Sequence, residues 1–281
     1  MRQLPGGPGA CFAPGADASR LADIYSARRR EIRLTTPEEP TADTPADGPL
    51  SDGPLADAPL AEVAASCGLE LTPAQVTRLD AYRKLLWSWN EKLNLTRHTT
   101  MEKFVTRDLF DTIQLSALIP EGETVLDVGS GGGVPGIPLA ILRPDLTVRL
   151  CESVNKKANV LFDIVEQLGL NVTVYAARVE AVVERGSQAP RFDTLIARGV
   201  APLWKFMFWL RPHHERWGRL LLIKGPSWVD ERAEARHRGL MKGFELRRLA
   251  EYEGPRNAAI TTLLTVTRAE APAAGKRGKK R

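Results

Sequence analysis

The chain has 281 residues, 39 Lys and Arg against 34 Asp and Glu, and 43% hydrophobic residues, as in an ordinary globular protein of one or two domains. Its three cysteines lie far apart, which excludes a disulfide scaffold and a cysteine-based zinc site. No stretch offers the ~18 consecutive apolar residues of a membrane helix, and the N-terminus lacks the apolar core of a secretory signal. We therefore expect a cytoplasmic protein that binds neither a membrane nor a metal.

Proline and charge are distributed unevenly along the chain. Residues 1–60 contain nine of the 20 prolines and an imperfect five-residue repeat over 46–60, which predicts a disordered arm. Residues 271–281 carry five basic and no acidic side chains, so we expect a disordered basic tail. Residues 191–248 hold 13 basic against 6 acidic side chains, and this local excess favours a polyanionic partner.

Residues 61–120 are predicted to form a small helical cap. Apolar residues recur at helical spacing over 73–93, with Thr72 as the N-cap and Pro73 at the first helical position. A second helix is predicted over residues 101–118. A proline and a glycine at 120 and 122 then break the pattern.

Strands and helices alternate over residues 121–270. The predicted strands are 124–128, 147–152, 172–177, 192–197 and 219–224, and the helices that follow them are 134–142, 154–168, 179–184, 202–210 and 227–238. Two further strands, 244–252 and 259–268, have no helix between them. This order predicts an α/β, Rossmann-like class I methyltransferase fold, with a seven-stranded, mostly parallel sheet closed by an antiparallel hairpin. The very apolar helix near 203–210 is expected to be buried rather than to bind a partner.

A glycine-rich turn after the first strand is the densest functional signal. Gly129, Gly131 and Gly133 allow a ligand to approach the backbone closely. Their spacing differs from the pyrophosphate fingerprint, and Asp127 would repel a pyrophosphate. A carboxylate there suits a ligand with an ammonium group, such as the methionine part of S-adenosylmethionine. A tight strand–helix turn without a ligand remains the alternative.

Polar residues also end the later strands. Glu152 can accept hydrogen bonds from both hydroxyls of a ribose, and Val179 and Glu180 stand where such folds contact an adenine. Arg198 and Lys224 end the fourth and fifth strands, where open sheets bind ligands, and either could pair with a carboxylate or a phosphate. Each of these residues could instead be an ordinary solvated side chain.

The motifs over about residues 69–268 resemble those of the bacterial small-subunit rRNA guanine-N7 methyltransferases. The most specific motif is 129–140, and the others are 89–96, 107–112, 152–157, 177–180, 196–198 and 223–225. The arms outside this region have no counterpart typical of the family. The family often has Asp where this chain has Glu152, and Ala where it has Gly199.

This resemblance implies an S-adenosylmethionine site at Gly129, Val134, Val179, Glu180 and Arg198. It also implies methylation of one guanine N7 in 16S rRNA, in a loop near the decoding site of the small ribosomal subunit. N7 has a lone pair and no proton to lose, so in-line transfer needs no general base. We therefore expect Arg198 and Lys224 to position the substrate, in a protein that acts as a monomer.

Three other functions compete with this interpretation. A small-molecule methyltransferase would share the fold and the glycine turn, and an rRNA-binding assembly factor could keep the fold without activity. A nicotinamide-dependent oxidoreductase is disfavoured by Asp127 and by the closing hairpin.

Overall fold

A computed structural model describes residues 58–184 and 190–269 of the chain. Residues 1–57 of the predicted arm and the predicted tail 271–281 lie outside the described residues. Among the described residues, no helix is both long enough and apolar enough to cross a membrane.

Three helices precede the sheet. Helix α1 is Leu60–Ser66, α2 is Pro73–Asn90, and α3 runs through Met101–Lys103, a π-helical segment Phe104–Leu109 and Phe110–Ser116. The two predicted helices are confirmed as α2 and α3. Helix α2 begins as predicted, because the Thr72 side chain accepts from the Gln75 amide while the Gln75 side chain accepts from the Thr72 amide.

Helix α1 was not predicted, and it corrects the boundary of the arm. Its first residue, Leu60, was assigned to the disordered arm but is buried in the core with Val63 and Ala64. The three residues stand at i, i+3 and i+4, so they share one helix face. The proline repeat immediately before them concealed this short apolar pattern.

The sheet has seven strands in the order β3-β2-β1-β4-β5-β7-β6. The strands are β1 Thr124–Val128, β2 Thr147–Glu152, β3 Thr173–Ala176, β4 Phe192–Arg198, β5 Trp217–Lys224, β6 Phe244–Gly254 and β7 Asn257–Arg268. Strands β1 to β5 pair in parallel, whereas β7 runs antiparallel to both β5 and β6. This arrangement confirms the predicted fold class, including the closing hairpin.

Helices cover both faces of the sheet and bring its parallel strands to a common edge. They are α4 Gly136–Leu142, α5 Asn155–Gln167, α6 Val179–Glu184, α7 Leu203–Leu210 and α8 Trp228–His237, with a 3-10 helix at Arg211–Arg216. In α7, Phe206 is buried as expected, but Phe208 is 63% exposed, so the expectation of burial fails for that residue. The carboxyl ends of β1, β2, β4 and β5 lie at one edge, where ligands bind in open α/β sheets.

Candidate active site

The glycine turn after β1 is held in place by the neighbouring strand and by the helical cap. The amides of Gly129 and Ser130 both donate to the carbonyl of Cys151, at 2.7 and 3.1 Å. The buried Tyr82 of α2 donates its hydroxyl to the carbonyl of Gly132 at 2.8 Å. Gly129, Gly131 and Gly133 have φ angles of 73°, 57° and 99°, which favour glycine. The backbone of the turn is therefore fixed before a ligand binds.

Asp127 lies in the core at the base of this turn. Its Oδ2 accepts from the amide of Gly136 at 3.0 Å, at the first residue of α4. Burial raises the pKa of Asp127 to about 7, although the Gly136 hydrogen bond acts to lower it. The structure thus shows Asp127 joining β1 to α4. Contact with the ammonium group of a cofactor stays a prediction for this residue.

Glu152 connects the end of β2 to the glycine turn. Its Oε2 accepts from the Gly131 amide at 2.9 Å, and its Oε1 accepts from the Val154 amide at 2.8 Å. A carboxylate has about four lone-pair positions, so both oxygens can accept further hydrogen bonds. Glu152 can therefore position the turn and also accept from ribose hydroxyls.

The residues predicted to contact adenine lie one strand further out. Val179 and Glu180 begin α6, directly after β3, and Val179 is buried while Glu180 is half-buried. Val134 is half-buried in the loop between β1 and α4 and packs against the core. These three residues and Glu152 follow β1, β2 and β3, which are neighbours in the sheet.

Arg198 lies at the centre of a charged network. Its Nη2 is 2.7 Å from Oδ1 of Asp108, and its Nε is 3.7 Å from Oδ2 of Asp111. The Nδ1 of His98 also lies 2.7 Å from Asp108 Oδ1, and the hydroxyl of Tyr252 donates to Asp111 Oδ1 at 2.9 Å. The sequence identified Arg198 but missed the other four members of this network. Its motif over 107–112 included both aspartates and was the one signal that could have revealed them.

Two atoms of this network are buried and have no hydrogen-bond partner among the described residues, namely Oδ2 of Asp108 and Nη1 of Arg198. Burial alone would lower the pKa of Arg198, but Asp108 and Asp111 outweigh it and raise the pKa, so the guanidinium stays charged. Unpartnered buried polar atoms are costly, which makes them candidates for ligand contacts. Asp108 Oδ2 can accept a hydrogen bond from a cation, and Arg198 Nη1 can donate one to an anion. An amino acid carries one group of each kind.

Lys224 is directed into the protein, towards the loop after β4. Its side chain is 9% exposed, and Nζ lies 2.7 Å from Oε2 of Glu231 and donates to the carbonyl of Ala201 at 2.6 Å. Glu231 also accepts from the amide of Leu203, at the first residue of α7. Lys224 thus connects α8 to this loop, and sequence reasoning missed its partner Glu231. Contact with the substrate stays a prediction for Lys224.

The loop after β4 also lies over the glycine turn. A Cβ placed on Gly129 would stand 2.6 Å from Cγ1 of Val200, so this close approach requires glycine. A cavity of about 270 Å³ lies between the ends of β4 and β5 and is lined by residues 199–201, 223–225 and Glu231. The loop and Lys224 together form one wall of the site.

The fold and this site define the class of protein. The strand order with an antiparallel β7, the glycine turn after β1 and the acid at the end of β2 are those of a class I, S-adenosylmethionine-dependent methyltransferase. Residues 75–259 match the family described as rRNA small subunit methyltransferase G. The chain belongs to this family.

Relatives of the chain agree with that assignment. The chain is 56% identical over 185 residues to ribosomal RNA small subunit methyltransferase G of Rhodopirellula baltica, covering 66% of this chain and 78% of the relative. It is 36% identical over 216 residues to the protein of that name from Roseiflexus castenholzii, covering 75% and 92%. Among solved structures, an O-methyltransferase from Bacillus cereus in complex with SAH matches at 15% identity and a TM-score of 0.49, over 67% of this chain and 91% of that one.

Proposed function

We propose that this chain transfers a methyl group from S-adenosylmethionine to N7 of a guanine in 16S rRNA of the small ribosomal subunit. One observation carries the proposal beyond family membership. It is the pair of unpartnered buried atoms on Asp108 and Arg198, at the carboxyl edge of the sheet. In the register of β1 and β4, Asp127 pairs with Ile196, so Arg198 stands level with Gly129.

The described residues fit S-adenosylmethionine. Arg198 Nη1 would bind the carboxylate of its methionine part and Asp108 Oδ2 the ammonium, because these atoms have the complementary charges. Glu152 would accept from the ribose hydroxyls. The glycine turn would give backbone contacts at Gly129, Gly131, Gly133 and Val134, and Val179 and Glu180 would line the adenine position.

The cofactor supplies an electrophilic methyl group on a sulfonium. Guanine N7 offers an in-plane lone pair and no proton, so this chain needs no general base. Its residues act by holding the reactants in line, and such positioning can lower a barrier by several kcal/mol. Lys224 would contribute through Ala201 and Glu231, by fixing the loop over the glycine turn.

The position of the target follows from the shape of RNA. N7 faces the deep, narrow groove of an A-form helix, which side chains cannot enter. The target guanine therefore lies in a loop or in a partly assembled subunit. We expect the enzyme to act in the cytoplasm, as a monomer.

The test is transfer of labelled methyl from S-adenosylmethionine to small subunits that lack the modification. We expect the wild type to label 16S rRNA. Arg198→Lys keeps the charge but loses the planar guanidinium and should bind adenosylhomocysteine about 10- to 100-fold more weakly, the value of one or two charged hydrogen bonds. Lys84→Ala, on the exposed part of α2, is the matched control and should behave as wild type.

The outcomes separate the competing functions. Adenosylhomocysteine should raise the melting temperature of the wild type, and NAD should not. Binding of adenosylhomocysteine without any labelled RNA would favour an assembly factor and contradict the proposed reaction. Undiminished cofactor affinity in Arg198→Lys would contradict the role of Arg198 alone.

A further inference from the structure

A positively charged site lies at the opposite end of the sheet from Arg198. It is a groove of about 490 Å³, here called the basal groove, formed by Arg236 of α8, the turn 239–243 and residues Phe244–Arg247 at the start of β6. Strand pairing places Phe244 beside Arg268, near the amino-terminal end of β5. At about 3.3 Å per strand residue, the groove lies roughly 20 Å from the edge that holds Arg198.

The charges in the basal groove are unbalanced. Its acidic residue, Glu245, accepts from both Nε and Nη2 of Arg247, at 3.1 and 2.7 Å. Arg236 and Lys242 are exposed, and neither forms an ion pair with any described residue. Arg211 adds a further cation at the rim, where its Nη1 donates to the carbonyl of Gly239 at 3.4 Å. The groove thus presents unpaired positive charge to solvent, which attracts anions.

The described part of the chain ends beside the same groove. The amide of Ala269, the last described residue, donates to the carbonyl of Gly243 at 2.9 Å. Residues 271–281 then add five basic and no acidic side chains. These residues carry the same charge as the groove, so both favour a polyanionic partner.

We propose that the basal groove binds the phosphate backbone of the RNA substrate, several nucleotides from the methylated guanine. This inference rests on the proposed function for the identity of the RNA. Phosphates suit the site because arginine and lysine bind them without reading sequence.

The test compares two double variants with the wild type. Arg236→Ala/Lys242→Ala removes the two unpaired charges of the basal groove, and Arg78→Ala/Lys84→Ala removes two exposed charges from α2 as the matched control. Binding to deproteinised 16S rRNA is measured from about 50 to 200 mM salt, the range over which phosphate contacts weaken strongly. The Km and kcat for methylation of small subunits are measured in parallel.

The groove variant should lower the slope of log affinity against log salt by about 1.4 to 1.8, since each phosphate contact contributes about 0.7 to 0.9. Its Km should rise, while kcat and affinity for adenosylhomocysteine stay unchanged. Both replaced side chains are exposed, so the melting temperature should also stay unchanged, and a large fall would discount the variant. In that case Lys242→Ala, with half the expected change in slope, replaces it.

Three results would overturn the inference. An unchanged salt slope would show that the basal groove does not contact RNA. An equal change in the α2 control would show a general effect of net charge. A raised Km on subunits with unchanged binding to free rRNA would indicate a ribosomal protein as the partner. Failure of the wild type to methylate subunits would refute the proposed function. The binding measurement on free 16S rRNA does not depend on methylation, so it would still test the basal groove.

Discussion

The carboxylate of Asp108 balances the positive charge of Arg198 inside the protein, so its removal should destabilise the fold. The two groups are 2.7 Å apart, and their side chains are 2% and 17% exposed. Removing one partner of a buried ion pair costs about 3–5 kcal/mol. Asp111 still lies 3.7 Å from the guanidinium, so we expect Asp108→Asn to cost about 3 kcal/mol, the lower end of that range. At about 2–4 °C per kcal/mol, the melting temperature should fall by about 6–12 °C.

The assay is thermal unfolding followed by circular dichroism, with titration of adenosylhomocysteine on the same samples. The control is Glu234→Gln, because it breaks an ion pair with Arg238 whose side chains are 43% and 46% exposed. Such an exposed pair contributes about 1 kcal/mol or less. Equal melting temperatures for the two variants would refute the assigned role of Asp108. Unchanged affinity for adenosylhomocysteine in Asp108→Asn would refute its contact with the cofactor.

Two further predictions concern the base of the glycine turn. Gly136→Ala should strongly destabilise the protein in urea, because its Cβ would stand 2.7 Å from Oδ2 of Asp127 and against the Leu150 side chain. Gly131→Ala should cost only the roughly 1–2 kcal/mol of its positive φ, because the nearest atom is 3.9 Å from the new Cβ; equal losses would contradict this packing. The pKa of Asp127 is raised to about 7, so binding of a proton by this carboxyl stabilises the folded state. This contribution is fully present below about pH 4 and is lost as the pH rises through 7. The free energy of unfolding of Asp127→Asn, measured in urea, should therefore fall less than that of the wild type between pH 5 and 8. An equal fall in both proteins would contradict the raised pKa.

Local sequence signals located the strands well where turn residues bounded them. Strands β1 and β2 begin and end where the sequence predicted. Glycine follows β1, and a polar, charged segment follows β2, so both ends are marked in the sequence. Strand β5 begins two residues before its predicted start, at Trp217. The extension includes Gly218, where a Cβ would stand 2.6 Å from the carbonyl of Asp193. This glycine permits close packing against β4 and does not mark a turn.

The candidate site was predictable only where its residues follow strands. Gly129 follows β1, and Glu152 and Arg198 end β2 and β4, which flank β1 in the sheet, so the topology of the fold predicts that they meet. The other members of the network around Arg198 come from α3, from the loop before it and from β6, at positions as far apart as His98 and Tyr252. No local pattern indicates that such distant charges will pair.

Side-chain partners and exposure depend on tertiary packing in the same way. A lysine at the end of a strand is equally consistent with a free charge and with a buried pair, and Lys224 proves to be paired with Glu231. Helix α7 is apolar on several faces, so its sequence could not distinguish the buried Phe206 from the exposed Phe208. These contacts required the assembled sheet and helices.

The central claim is methylation of guanine N7 in 16S rRNA, and the product nucleoside tests it most directly. Small subunits that lack the modification are incubated with the enzyme and labelled S-adenosylmethionine, and the 16S rRNA is then digested to nucleosides and separated. The account predicts that the label appears in 7-methylguanosine. Label in another nucleoside, or in ribosomal protein alone, would contradict it.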